Sequence, residues 1–106
     1  MMQPLSLNVS RSNGSTVVAV AGEIDMATAP ELANVLNDFA QDSVLVDLSA
    51  VTFIDSSGLA TLANAHTRMS SAGGRLAIDG LLPNVQKVFE ITRLTELIQP
   101  GSTIDV

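Results

Sequence analysis

The sequence predicts a single α/β domain, a mixed and mostly parallel sheet of four to five strands with helices packed against it. Three observations lead there. Short β-branched runs alternate along the chain with segments of helical periodicity, the order that builds strand–helix–strand units. An Asn13-Gly14 pair between the first two runs marks a tight hairpin, so one antiparallel pair joins a sheet whose later connections are crossovers. The 106 residues, 46% hydrophobic and 15% charged, suit one core that folds without a metal or disulfide.

Leu5, Leu7 and Val9 alternate with Ser6, Asn8 and Ser10, the period of two expected of a half-buried strand. The next run, Thr16 to Ala21, is β-branched and apolar on both faces, which places it inside the sheet, and it is expected to end at Gly22. A helix should start near Thr28-Ala29-Pro30-Glu31: Thr three residues before Glu can form a capping box, and Pro suits an early helical position. Leu32, Val35, Leu36 and Phe39 then lay one apolar stripe, carrying the helix to Ala40, with Gln41-Asp42-Ser43 ending it.

Val44 to Leu48 reads as a central strand covered on both sides, and Ser49 to Ile54 as a connection. Beyond Asp55-Ser56-Ser57-Gly58, residues Leu59, Leu62, Ala63, His66 and Met69 share one face of a second helix that stops at Ala72-Gly73-Gly74. Arg75 to Ile78 returns as a strand parallel to the Val44 run through a right-handed crossover. Pro83 opens a third helix with Val85, Val88, Phe89 and Ile91 inward and Asn84, Gln86, Lys87 and Glu90 toward water. Leu97-Ile98 is expected to add a short last strand, and Pro100-Gly101-Ser102 to mark a loose tail. The domain is thus expected to span residues 1–106, with an ordered core at about 5–98 and a tail at 99–106.

Composition narrows the function. Eleven acidic residues against five basic ones give a net charge of −6, with no run of Lys or Arg to follow a phosphate backbone, so nucleic acid is not an expected partner. Three Phe residues and no Trp or Tyr leave no base-stacking platform. The absence of Cys removes disulfides, thiol redox chemistry and Cys-based metal sites. The opening residues, Met1 to Ser6, lack the basic and apolar regions of a secretory signal, and no apolar stretch reaches the roughly 20 residues of a membrane span, so a cytoplasmic protein without a membrane partner is expected.

Two clusters could carry chemistry. Asp55-Ser56-Ser57-Gly58 joins a strand to a helix at the strand's carboxyl end, where open α/β sheets place their functional loops. Asp and Ser there can be plain N-caps; alternatively, one serine caps while the other presents a hydroxyl that a kinase can modify. A Ser nucleophile is the rival, as in a hydrolase, but His66, the one histidine, lies ten residues along the same helix, about 15 Å of rise from Ser56. Glu23 and Asp25 could be a metal pair, an acid–base pair, turn residues or part of a polar contact surface, the last being preferred because no further ligand stands at metal spacing. No cofactor is implied, and Gly73-Gly74 lacks the Lys-bearing context of a phosphate-cradling loop.

Taken together, Gly22-Glu23-Ile24-Asp25 and the stretch Val46-Asp47-Leu48-Ser49-Ala50-Val51-Thr52-Phe53-Ile54-Asp55-Ser56-Ser57-Gly58-Leu59 resemble the two signature segments of the STAS family. The likeness continues through Gly73-Gly74-Arg75-Leu76 and from Pro83 to Leu94. The resemblance implies an anti-anti-sigma factor, a binding switch rather than an enzyme. Its partner would be a serine kinase of the GHKL ATPase type that otherwise holds a sigma factor inactive. It also implies phosphorylation by that kinase on the first Ser after the Asp, which is Ser56, reversed by a phosphatase, with Asp25 and Asp55 as flanking acidic positions. The implied partner-binding residues are Glu23, Asp25, Asp55, Ser56, Ser57 and Gly58. A STAS subunit of another assembly, a stress-signalling scaffold or lipid-transport complex, is the alternative. Family members commonly end in a fourth helix, for which Gln99 to Val106 are too few and too broken by Pro and Gly, so that element is expected to be absent or replaced by an extended tail.

Overall fold

A computed structural model describes residues 5–94 and 97. Four strands and three helices follow one another as β1 (Ser6–Ser12), β2 (Ser15–Ile24), α1 (Ala29–Asn37), β3 (Ser43–Ile54), α2 (Ser56–Ser71), β4 (Arg75–Asp79) and α3 (Pro83–Ile91). The sheet has the order β1-β2-β3-β4, antiparallel at β1/β2 and parallel at the other two pairings. The mixed, mostly parallel α/β architecture is therefore the one the sequence predicts.

Asn13 (φ 52) and Gly14 (φ 83) both take the left-handed region, the backbone a two-residue hairpin needs, and Ser12 pairs with Ser15 across it. The alternation of β2 and β3 then sorts side chains between two faces. Val18 and Val20, Val44, Val46 and Leu48, and Leu76 and Ile78 are buried on one face. Against that core α2 packs on β3, β4 and α1, with Leu32 and Leu36 of α1 and Leu59, Leu62, Ala65 and Met69 of α2 buried. The other face is barer than expected. Leu45 and Asp47 of β3 are only half-buried there, beside Val17, Ala19 and Ala77, so the central strand is covered fully on one side alone.

The strands run further than their apolar runs. Gly22 does not end β2: at φ 117 it sits within the strand, between register shifts that let β2 continue to Ile24. The stretch from Ser49 to Ile54 is no connection but the second half of β3, paired through Ala21↔Ala50, Gly22↔Val51, Glu23↔Phe53 and Ile24↔Ile54. Its exposed Ser49, Ala50 and Thr52 break the apolar pattern while the ladder persists.

The helices depart from expectation only at their ends. The first stops at Asn37, three residues before Ala40, because Asp38 N and Phe39 N turn to the carbonyls three residues back, Val35 O and Leu36 O. At the far end of α2, Gly73 (φ 91) lets Gly74 N reach back to Met69 O at 2.7 Å, closing the helix in a Schellman turn. On that helix Ala65 takes a buried place and His66 a half-buried one. In α3, Val85 and Phe89 are buried, but Ile91 is 72% exposed rather than inward. Leu97 is buried and held in a turn, its N–H bonded to Leu94 O, rather than in a strand; Ile98 and the expected tail lie outside the described residues.

Candidate functional site

At the carboxyl end of β3 the chain turns directly into α2. Asp55 has extended backbone (φ −109, ψ −172), and its Oδ1 accepts hydrogen bonds from Ser57 N at 2.9 Å and Gly58 N at 3.1 Å. Two of the helix's orphan donors are thereby satisfied by the aspartate, not by either serine. Ser56 is the first helical residue and is exposed, and among the described residues its hydroxyl has no hydrogen-bond partner. Ser57 is half-buried.

Gly58 belongs beneath this surface rather than on it. It is buried, and a Cβ there would stand 2.6 Å from Ile24 Cγ2 and 2.7 Å from Ile54 Cγ1. The absent side chain is what allows the first turn of α2 to rest on the ends of β2 and β3. Of the six residues expected at a contact surface, Gly58 is therefore a seating residue.

The second cluster lies next to the first because β2 and β3 are parallel neighbours that end together. Ile24 pairs with Ile54, and Asp55 N donates to Ile24 O at 3.1 Å. The loop from β2 into α1 thus emerges alongside Ser56. Glu23 is exposed and opposite the 46%-exposed Phe53. Asp25 is half-buried, and its Oδ1 accepts from Ala27 N (2.9 Å) and Thr28 N (3.0 Å).

Thr28 is the residue of this loop that the sequence pattern misassigned. It stands at the N-cap of α1 but makes no side-chain capping bond, so the expected box with Glu31 does not form. Its buried hydroxyl instead points back into the loop, donating to Glu23 O at 2.8 Å and accepting from Asp25 N at 2.9 Å. The Thr-x-x-Glu spacing fits both uses; only closure of the loop decides between them. Met26, between Asp25 and Thr28, is 76% exposed and carried no signal beyond its place in an acidic loop.

Glu23, Asp25 and Asp55 give this carboxyl end of the two central strands a negative character, and Ser56 follows directly on Asp55. No group of three or more His, Cys, Asp or Glu side chains is placed to hold a metal ion among the described residues. His66 lies in α2 ten positions after Ser56, so about 15 Å of helical rise separates them, too far for proton transfer between the two side chains.

Comparison with known proteins adds to this geometry. Residues 6–106 match the family model described as the STAS domain. The anti-sigma-B factor antagonist of Staphylococcus aureus (strain NCTC 8325 / PS 47) is 33% identical over 92 residues, covering 84% of this chain and 85% of that protein. An anti-sigma factor antagonist from Mycobacterium paratuberculosis superimposes with a TM-score of 0.80 at 29% identity, over 92% of this chain and 87% of that one. The anti-sigma factor antagonist SpoIIAA in its unphosphorylated form gives a TM-score of 0.74 at 18% identity, over 89% of this chain and 86% of that one, a likeness of fold. Sequence signature, sheet order and relatives converge, and the chain belongs to the STAS domain family.

Proposed function

We propose that the protein is an anti-sigma factor antagonist, a cytoplasmic binding switch whose unphosphorylated form engages a GHKL-type anti-sigma serine kinase and so frees a sigma factor. Phosphorylation on Ser56 ends that binding, and a phosphatase restores it. Glu23, Asp25, Asp55, Ser56 and Ser57 form the contact surface. One observation carries the reading: the Ser56 hydroxyl is exposed at the start of α2 and has no structural task, because Asp55 caps the helix. The names of the Staphylococcus and Mycobacterium relatives support the same function.

The charge argument follows from the site. Transfer of a phosphoryl group from ATP to Ser56 Oγ replaces the O–H bond by an O–P bond, releases ADP and yields a proton to solvent or a base on the kinase. About −1.5 to −2 of charge arrives at the positive end of a helix, which tolerates it, but beside Asp55 at a surface that has to meet a partner. Folding is spared and docking is opposed.

The test is incubation of the protein with purified candidate kinases and ATP, followed by mass mapping and pull-down. Phosphate is expected on Ser56, Ser56→Ala is expected to bind whatever the ATP supply, and Ser56→Asp to bind at least about tenfold more weakly. Phosphate on Ser57 alone, or a Ser56→Asp variant that binds as the wild type does, would refute the assignment.

A further inference from the structure

Among the described residues Met26 is the most exposed of the large apolar side chains, at 76%. It contributes little to the core, yet the loop that carries it is tightly held. On its N-terminal side, Asp25 N donates to Thr28 Oγ1 at 2.9 Å. On its C-terminal side, Ala27 N and Thr28 N both donate to Asp25 Oδ1, and Ala29 N donates to Asp25 O at 2.8 Å. The whole set is locked to the end of β2 by the bond from the Thr28 hydroxyl to Glu23 O. These bonds straddle Met26 and fix the direction in which it leaves the backbone, while leaving the side chain itself to solvent.

That is the arrangement of a docking residue. A large apolar group held out on an ordered loop loses little freedom when it enters a pocket, and methionine's flexible thioether adapts to the pocket it finds. The surroundings specify the pocket's edge. Glu23 is exposed, Asp25 and Asp55 are half-buried, and the Asp55 loop is bonded to Ile24 beside it, so an occupant meets carboxylates around the methionine. We propose that Met26 is an apolar anchor for the anti-sigma kinase, entering an apolar pocket rimmed by basic side chains, with Thr28 as the positioning residue that holds it there. This rests on the binding function proposed above and gives that surface its apolar centre.

Titration of the purified full chain against a purified kinase separates the two ideas. Failure of the unphosphorylated wild type to bind any candidate kinase sinks the binding function and the anchor with it. Where wild type binds, Met26→Ala is expected to weaken affinity at least about tenfold, Met26→Leu to stay within about threefold of wild type, and Met26→Lys to bind more weakly than Met26→Ala. Met26→Ala binding within about twofold of wild type overturns the anchor while the binding function stands. Met26→Lys binding better than Met26→Ala overturns the basic rim. Thr28→Val is expected to lose affinity and Thr28→Ser to keep it. Because Thr28→Val can also loosen the fold, its folded fraction is read by circular dichroism; a folded Thr28→Val with wild-type affinity overturns the positioning role.

Discussion

Asp55 supplies one oxygen to two backbone donors, and that oxygen can be removed without touching Ser56. Asp55→Ala should therefore cost about 1 kcal/mol of folding stability, read as a lower midpoint in urea, while Asp55→Asn, which keeps an acceptor, should recover most of it. Equal losses for both variants would show that charge rather than capping matters at this position. Ser56 has no such task, so Ser56→Ala and Ser56→Asp should unfold within about 0.5 kcal/mol of wild type while differing in binding. Residue identity at this junction was legible from sequence because Asp followed by two Ser and a Gly fits a helix start in any fold. What sequence left open was which side chain caps. Thr28 shows the limit: its hydroxyl serves residues that precede it, a choice made by the path of the β2–α1 loop and not by the spacing to Glu31.

At the scale of elements, the site depends on how closely α2 approaches the ends of β2 and β3. Gly58→Ala gains about 1 kcal/mol of intrinsic helix propensity yet drives a methyl group into Ile24 and Ile54. The clash involves branched side chains already packed in the core, so the net is expected to be destabilising by about 1–3 kcal/mol, measured by chemical denaturation. A variant as stable as wild type would mean that the helix seats more loosely than the contact at Gly58 implies. The strands were less legible than the helices, and the reason is local. Gly22 and the exposed Ser49, Ala50 and Thr52 interrupt the apolar alternation, but neighbouring strands supply the backbone partners that side-chain pattern cannot announce. Phe39 fits the helical stripe of α1 although its backbone has already tightened out of the helix, since periodicity reports which face is apolar rather than which hydrogen bond is made.

Across the whole molecule, a net charge of −6 and the carboxylates of Glu23, Asp25 and Asp55 would speed association with the basic-rimmed partner proposed above. Raising salt from about 0.05 M to about 0.5 M is expected to slow association by about tenfold and to change dissociation much less, as stopped-flow mixing would resolve. Salt-independent association would argue for a partner surface without a basic edge. Fold class was readable because alternating strand and helix segments admit few arrangements, whereas the barer second face of the sheet depends on where the helices settle. Among the described residues no helix is long and apolar enough to cross a membrane. The aspartate cap gives the molecule one more property. Because that cap lies one residue ahead of Ser56, the phosphorylation proposed above would change what other proteins can grip while leaving in place the bonds that hold the start of the helix. A cell could then toggle the signal repeatedly on the same copies.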